Sequence, residues 1–371
     1  MKGKIKLSDV ARCAGVAVGT ASRVLNNRTD VNPEARERVL AAVAKLGYSP
    51  LRKRSARANH AGPAAGAGNI GVVVLGMDAS LVNVPVMVAV LNGVESGIAE
   101  ENRNLLFANL PRADRVPGFL KDNLVEGLIV KTSQYGRLPP PSEHPLVANI
   151  LRFPVVWVLA RPEGAPGDLC SFNHETAALL AARHFHSKGH RLVAFCNPKK
   201  GKSSHEHLKM EFAGACRGMG LRHTLLEAKP ARAGQWPEPA LSSAEDVAPL
   251  VAAWKKLPPA RRPTGLFVPA DNIAALLYAA LARQGVEPGR DVGIIGCNNE
   301  GPVLQGLRPR LTTIDIHAEA IGRKSVEQLL WRLARKAGTN DQTLLFEPEL
   351  VEGESVPALA SPARRKVPAG T

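Results

Sequence analysis

The sequence predicts a multidomain chain in which a small all-α unit precedes a larger α/β region with two parallel-sheet lobes. Three observations support this prediction. The 371 residues suffice for two or three domains, and a hydrophobic content of 45% allows sizeable cores. The first fifty residues show three short helix patterns. From residue 69 onward, short apolar runs alternate with helical stretches, an order that indicates parallel strands covered by helices.

The N-terminal unit shows the pattern of a helix-turn-helix. Ser8 is expected to cap a first helix that Gly15 ends, and a second short helix is expected from Val18 to Leu25. Asn32-Pro33-Glu34 marks the start of a third helix, because Asn is a good cap and Pro suits the first helical position. The apolar residues expected on the buried faces are Val10, Ala11, Ala14, Ala21, Val24, Leu25, Val39, Leu40, Val43 and Leu46.

Positive charge is concentrated in the same part of the chain. The formal net charge is +15, and residues 1–60 contain 13 of the 48 Lys and Arg residues but only 4 of the 33 Asp and Glu residues. Arg364, Arg365 and Lys366 add further charge in the tail, so the region between is nearly neutral. A basic head on a nearly neutral body predicts a polyanionic partner for the head alone.

Composition also excludes several classes of protein. No apolar run reaches the roughly 18 residues of a transmembrane helix, and charged residues interrupt every apolar stretch near the N-terminus. Neither a membrane span nor a signal peptide is therefore predicted. The cysteines are odd in number and lack a CxxC pair, which predicts reduced thiols in a cytoplasm rather than disulfides or a zinc knuckle. They are Cys13, Cys170, Cys196, Cys216 and Cys297.

Four segments of the first fifty residues form a specific pattern. They are Ile5-Lys6-Leu7-Ser8-Asp9-Val10-Ala11, Gly15-Val16, Thr20-Ala21-Ser22-Arg23-Val24-Leu25-Asn26 and Gly47-Tyr48-Ser49-Pro50. This pattern closely resembles, without gaps, the headpiece of LacI/GalR-type bacterial transcription regulators. The resemblance implies that the second helix is a recognition helix, which enters the major groove of DNA.

The resemblance also implies roles for single residues. Val18, Gly19 and Arg23 would face base edges, and Arg23 would read a guanine because its planar guanidinium matches the O6 and N7 acceptors. The alternative for Arg23 is a solvated helix arginine. At Ala17 the family usually has a serine that caps the recognition helix, and losing such a cap typically costs about 1 kcal/mol. The residues expected to contact phosphates are Thr20, Ser22, Asn26 and Tyr48.

Residues 51–68 are predicted to form a basic hinge and a Gly/Ala/Pro-rich linker. The family normally has a hinge helix that wedges a leucine into the minor groove, whereas an ungapped match places Arg57 at that position. Arg54 and Arg57 are therefore expected to bind DNA mainly by charge, with weaker kinking. The alternative is a disordered basic tether.

The remaining sequence predicts two lobes. Strands are expected at 70–74, 127–130, 155–159, 192–195, 265–268 and 292–295, and helices near 88–101, 175–187, 208–219, 248–256 and 272–284. Gly71-Val72-Val73-Val74, Gly189-His190-Arg191-Leu192-Val193-Ala194-Phe195 and Arg310-Leu311-Thr312-Thr313-Ile314 are similar to family landmarks. They imply a periplasmic-binding-protein-like effector domain, in which a small molecule sits in the cleft between the lobes.

Ligands of such lobes bind near the carboxyl ends of the strands. Several residues depart from the family pattern: Val86-Met87 replaces an aromatic pair, and Leu208 replaces a clamping arginine. A sugar or a related metabolite remains the expected effector. The alternative for Lys131 and Asn298 is a role in capping strand ends. The predicted ligand-binding residues are Met77, Lys131, Ser133, Arg161, Lys209, Asp271 and Asn298.

No catalytic site, metal site or cofactor is predicted. Gly201-Lys202-Ser203 is similar to the end of a P-loop, but Cys196 occupies the position of a required glycine. The pairs His184/His186 and His205/His207 have a spacing that points their side chains apart on a helix, so solvated or capping histidines are favoured over the alternative of a metal site. The sequence contains no nucleophile elbow, catalytic carboxylate pair or dinucleotide fingerprint.

We therefore expect a cytoplasmic, homodimeric transcription regulator, a repressor by the family's commoner mode, on a pseudo-palindromic operator in double-stranded DNA. A small-molecule effector bound between the lobes would control it allosterically. The alternatives are a solute-binding protein or an α/β enzyme with a basic N-terminal extension. The expected domains are a headpiece at 1–50, hinge and linker at 51–68, a ligand-binding and dimerisation domain at 69–357, and a disordered basic tail at 358–371.

Overall fold

The computed structural model describes residues 7–25, 31–46, 68–77, 81, 84–132, 138–228, 243–335 and 340–359. The chain divides into two compact units, Met1–Ala64 and Ala65–Thr371. The expected hinge, linker and tail lie almost entirely outside the described residues, so their limits stay predictions.

The first unit, here called the headpiece, contains α1 (Leu7–Ala14), α2 (Val18–Leu25) and α3 (Pro33–Leu46). Gly15 ends α1 in the left-handed conformation, with φ of 63°. The Asn32 cap is confirmed, because its Oδ1 accepts a hydrogen bond of 2.9 Å from the amide of Glu34. The shared core consists of Val10, Ala11, Ala14, Ala21, Val24, Val39 and Ala42, with Leu7, Val16, Val31, Val43 and Leu46 packed around it.

Two headpiece predictions were wrong. Helix α1 begins at Leu7, so Ser8 lies inside the helix rather than at its cap. Leu40 is 51% exposed, because the buried stripe of α3 follows Ala35, Val39 and Ala42 and the residue after Val39 is rotated about 100° away. The predicted limits of α2 are confirmed.

The second unit is α/β throughout. Its first half contains β1 (Asn69–Leu75), α4 (Pro85–Glu100), β2 (Asn104–Leu110), α5 (Gly118–Lys121), β3 (Gly127–Thr132), α6 (Pro145–Ile150), β4 (Val155–Val158) and β5 (Asp168–Phe172). Its second half contains α7 (His174–Ser187), β6 (Leu192–Asn197), α8 (Ser203–Gly218), β7 (Arg222–Glu227), α9 (Ala248–Lys256), β8 (Gly265–Phe267), α10 (Asp271–Ala282), β9 (Gly293–Cys297), α11 (Gly301–Leu304), β10 (Thr312–Asp315), α12 (Ala318–Leu333), β11 (Thr343–Phe346) and β12 (Glu349–Val351).

The strands form two sheets, which define two lobes. Lobe 1 has the strand order β11-β5-β4-β3-β1-β2, and lobe 2 has the order β12-β10-β9-β8-β6-β7. Every pair is parallel except β10 with β12. The chain passes between the lobes after β5, after β10 and after β11. In each sheet the strand order reverses at one place, between β1 and β3 in lobe 1 and between β6 and β8 in lobe 2.

Close backbone contact joins α4 to α12 in lobe 1. A Cβ atom on Gly93 would lie 1.9 Å from the carbonyl oxygen of Glu319, and one on Gly322 would lie 2.0 Å from that of Val90. Both positions therefore require glycine. This contact fixes the helix that enters lobe 1 from lobe 2 against the helix that follows β1.

The predicted parallel lobes are confirmed. Each predicted apolar run is a strand whose ends lie within two residues of the prediction. Leu159, Val268 and Val292 were predicted in strands but lie outside them, and Leu159 has φ of 64°. Helix α8 begins five residues before its predicted start. Strands β2, β5, β7, β10, β11 and β12 were not predicted. Among the described residues no helix is long and apolar enough to cross a membrane.

Candidate functional site

The outward face of α2 is the candidate DNA-reading surface. Ala21 and Val24 are buried against the other two helices, which turns the opposite face of α2 outward. Val18 is 49% exposed, and Gly19 and Arg23 are exposed too. Thr20 and Ser22 of the same helix are half-buried. The structure thus presents the predicted base-reading residues on one helix face.

The start of α2 has no side-chain acceptor at its cap. The Ala17 carbonyl accepts hydrogen bonds from the amides of Thr20 and Ala21, at 2.9 and 3.0 Å. Alanine supplies no oxygen for the first free amides, so the core contacts of Ala21 and Val24 must hold this helix. Four other predicted DNA contacts lie outside the described residues: Asn26, Tyr48, Arg54 and Arg57.

The candidate ligand site lies at the two places where strand order reverses, because crevices form there outside the carboxyl ends of the strands. In lobe 1, Met77 follows β1 and Lys131 is the penultimate residue of β3. In lobe 2, Asn197 ends β6 and Asp271 follows β8 as the first residue of α10. Ser133 lies outside the described residues.

A group of basic side chains connects the two lobes at this site. Lys131 is only 6% exposed, and burial lowers its pKa to about 8. His205, in the first turn of α8, is 4% exposed and donates from Nδ1 to Asn197 Oδ1 at 3.2 Å. Burial first, and then the positive charges of neighbouring groups that include Lys131, keep the pKa of His205 well below its ordinary value. The charge of Lys131 in lobe 1 therefore acts on His205 in lobe 2.

His174 belongs to the same group. Its ring stacks on Phe172 with centroids 4.1 Å apart and meets the ring of His207 edge-on at 5.9 Å. Its Nε2 is buried without a hydrogen-bond partner among the described residues. Burial, with a smaller contribution from His207, lowers the pKa of His174 to about 4. The ring is thus neutral near pH 7 and has an open hydrogen-bonding position.

A carboxylate network forms the neighbouring part of lobe 2. Asp271 is fully buried, and it accepts hydrogen bonds from the Thr313 hydroxyl at 2.7 Å and the Glu300 amide at 2.8 Å. The Glu300 carboxylate accepts from the amide of Asn272 at 2.9 Å and from Asn298 Nδ2 at 3.0 Å. It also accepts from the backbone of Val86, at the start of α4 in lobe 1. This carboxylate therefore links the two lobes.

Burial raises the pKa of both acids of this network. The pKa of Asp271 lies well above its ordinary value, through desolvation first and the charge of Glu300 second. Desolvation raises the pKa of Glu300 to about 7, although the hydrogen bonds to Asn298, Asn272 and Val86 oppose this. Asp271 and Asn298, two predicted ligand residues, are thus brought together through Glu300.

Two other predicted ligand residues are already bonded within the protein. The Arg161 guanidinium donates to the Gly167 carbonyl at 2.8 Å and lies 4.0 Å from Asp341. Lys209 is ion-paired with Glu206 and, at 3.1 Å, with Glu227. The structure therefore does not place Arg161 or Lys209 as free ligand contacts.

Asn298 also lines an open groove with a volume of about 790 Å³, between α4 and α12 of lobe 1 and the end of β9. Asp315, His317 and Glu349 offer atoms within 4.8 Å of one another near this groove, the spacing of metal ligands. Both Asp315 oxygens already accept hydrogen bonds, from the His317 amide at 2.7 Å and Asn299 Nδ2 at 2.9 Å. Asp315 is therefore already occupied by hydrogen bonds within its own part of the chain.

Sequence reasoning missed four of the polar groups at this site, among them His174, which no motif marked. Asn197 was missed because β6 extends two residues beyond its predicted end. His205 was noted only as one of a pair, and burial separates it from the exposed His207. The signal for Glu300 was its position just after a strand and two asparagines, one of which, Asn298, has φ of 100°.

Comparisons with known proteins agree with both units. The model for bacterial regulatory proteins of the lacI family matches residues 6–50, and the model for a periplasmic binding protein-like domain matches residues 182–356. A helix-turn-helix unit followed by a two-lobed α/β unit of this kind defines a class of DNA-binding regulators. Residues 6–50 thus match the lacI family of bacterial regulatory proteins, the family that the sequence pattern resembles.

Relatives and solved structures match over almost the whole chain. The HTH-type transcriptional repressor PurR of Erwinia tasmaniensis is 25% identical, over 94% of this chain and 96% of its own length. The ribose operon repressor of Haemophilus influenzae is 26% identical, over 95% and 99%. Among structures, the lac repressor dimer bound to operator and the anti-inducer ONPF has a TM-score of 0.62 at 22% identity, over 96% and 100%. The complex of the regulator CelR with cellobiose has a TM-score of 0.63 at 21% identity, over 95% and 99%.

Proposed function

We propose that this chain is a transcription repressor that binds a specific DNA operator and releases or retains it according to a small molecule bound between its two lobes. The observation that carries the proposal is the exposed face of α2 inside a lacI-type headpiece, joined to a two-lobed unit. The curated relatives named above are repressors, which supports repression over activation.

In this proposal Val18, Gly19 and Arg23 read base edges, while Thr20 and Ser22 of the same helix contact phosphates. Asn26, Tyr48, Arg54 and Arg57 are proposed as further DNA contacts from the sequence alone. The DNA would be a pseudo-palindromic operator, because two headpieces related by two-fold symmetry require two related half-sites.

Self-association is proposed through apolar residues on the outer edge of both lobes. Phe107 on edge strand β2 and Leu225 on edge strand β7 are 44% and 41% exposed, and Met210 on α8 is 58% exposed. Exposed apolar groups on matching edges of both lobes support a homodimer. Sedimentation velocity with Phe107→Glu tests this part, since the charge should shift the protein towards monomer.

The effector is proposed to bind between the strand ends of the two lobes, at Met77, Lys131, Asp271 and Asn298, with Ser133 added from the sequence. A relative named for the ribose operon and a neighbour in complex with cellobiose support a sugar or a related metabolite. We also propose that the protein acts in the cytoplasm, where its DNA would be, and that it is not an enzyme, because its relatives are regulators.

Selection of bound fragments from genomic DNA, followed by titration of the selected operator, tests the proposed function. Arg23→Ala should abolish the preference for the operator over random DNA. The matched control Arg38→Ala removes the same charge from an exposed position on α3 and should weaken both kinds of DNA binding equally. A preference that survives Arg23→Ala would show that Arg23 is not the reader, and the absence of any selected sequence would refute the proposed function.

A further inference from the structure

Among the described residues, the buried lysine of lobe 1 has no partner of opposite charge. Lys131 Nζ donates one hydrogen bond, to the Thr132 carbonyl at 3.1 Å, and forms no ion pair with any described residue. An ammonium group has three N–H donors, so two remain without an acceptor among the described residues. Burial of an unpaired charge is costly, and proteins normally keep such a group only with a partner.

The acids of the opposing lobe do not fill this role, because they are already occupied. Glu206 accepts hydrogen bonds from Asn197 Nδ2 at 3.1 Å and the Gly201 amide at 2.8 Å, and it pairs with Lys209. Asp271 is bonded to Thr313 and to the Glu300 amide. The lobe 2 side chain on which the charge of Lys131 acts is His205, which is itself basic.

His205 and His174, whose charges interact, present neutral ring nitrogens at this site. Asn197 is oriented by its Nδ2, which donates to Glu206, so its Oδ1 accepts and His205 must carry its proton on Nδ1. His205 Nε2 is therefore a hydrogen-bond acceptor while the ring is neutral. His174 Nε2 is likewise buried without a partner. Acceptors of this kind suit the hydroxyl groups of a ligand.

From this arrangement we infer that the effector is a hydroxylated small molecule with one carboxylate or phosphate group. The anionic group binds Lys131, and hydroxyl groups donate hydrogen bonds to His205 and His174. The inference rests on the proposed function, since it assigns the chemical class of the effector to the proposed site. A carboxylate and a phosphate both offer oxygens to an ammonium group, so the site chemistry is the same for either.

Calorimetric titration of the full-length protein tests the inference with matched probes at constant ionic strength. The probes are glucose against glucose 6-phosphate and gluconate, ribose against ribose 5-phosphate, and inorganic phosphate alone. At least one anionic probe should bind about ten- to a hundredfold more tightly than its neutral counterpart, which is the value of one hydrogen bond between charged groups. The phosphate and carboxylate probes show which anion is preferred.

Lys131→Met keeps a similar length and removes the charge, so it should reduce that preference to about one. The control Lys188→Met removes an equal charge from a lysine paired with Glu352 and should leave the preference unchanged. The inference is overturned if no anionic probe binds the wild-type protein more tightly than its neutral counterpart, or if Lys131→Met keeps the preference. Operator binding of the same preparation is measured separately, so failure of the inference alone leaves operator binding intact.

Discussion

Lys131 is expected to make the stability of the α/β unit rise with pH in a range where most proteins lose stability. Burial lowers its pKa from 10.5 to about 8 in the folded protein, whereas the unfolded chain keeps the ordinary value. Between these values the unfolded state binds the additional proton, so the free energy of unfolding increases with pH. At roughly 1.36 kcal/mol for each pH unit, the full effect is about 3 kcal/mol.

The measurement is urea unfolding of the wild type and Lys131→Met at pH 7.5, 9.0 and 10.0, followed by tryptophan fluorescence. Trp157 is a suitable reporter, because it is buried and pairs with Val130 next to Lys131. Relative to Lys131→Met, the wild type should gain stability as pH rises through 8 towards 10. The control Lys188→Met should differ from the wild type by a constant amount. A difference between wild type and Lys131→Met that does not change with pH would refute the reasoning.

Three further predictions address other parts of the molecule. Gly93→Ala should lower the free energy of unfolding of the α/β unit in urea by about 1–3 kcal/mol or more, because the new Cβ would overlap the Glu319 carbonyl. The control Gly214→Ala places its Cβ in open space on α8, so it should be neutral or stabilising. In the wild type the free energy of unfolding should fall by up to about 3 kcal/mol as pH rises from 4.5 to 7, because the folded protein keeps the Glu300 proton that the unfolded chain has already lost. Glu300→Gln should remove this fall, and equal pH profiles of the two proteins would contradict the prediction. Asn32→Ala should destabilise the headpiece by about 1 kcal/mol in thermal melting, and Asn32→Asp should not.

The headpiece could be predicted closely because its signals are local. Asn32-Pro33 marks the start of α3 by cap chemistry that involves only the next few residues, and Gly15 ends α1 by its own backbone conformation. Leu40 shows the limit of such reasoning. Val39 and Leu40 lie about 100° apart on the helix, and which of them is buried depends on the residues of α1 and α2 that pack there.

In the α/β unit, apolar runs predicted the central strands but not the outer ones. Strand β2 lies at an edge of its sheet, and Phe107 on one of its faces is exposed. Strand β7 is also an edge strand, and because most of its residues are polar it contains no apolar run. Strand β11 pairs with β5 only after the chain has returned to lobe 1. The local sequence does not encode such pairing, because it depends on where distant segments lie.

The same limitation applies to the site, and it bears on regulation. Glu300 acquires its role only because α4 of lobe 1 brings the Val86 backbone to it, a contact between segments more than two hundred residues apart. This hydrogen bond connects lobe 2 to lobe 1. An effector can shift the lobes between open and closed arrangements only by the difference in its affinity for the two. An effector that binds beside Lys131 should therefore change the strength of the contact between Glu300 and the Val86 backbone. Operator titrations of Glu300→Gln with and without an anionic effector should therefore show a changed ratio of the two affinities. An unchanged ratio would place the coupling elsewhere.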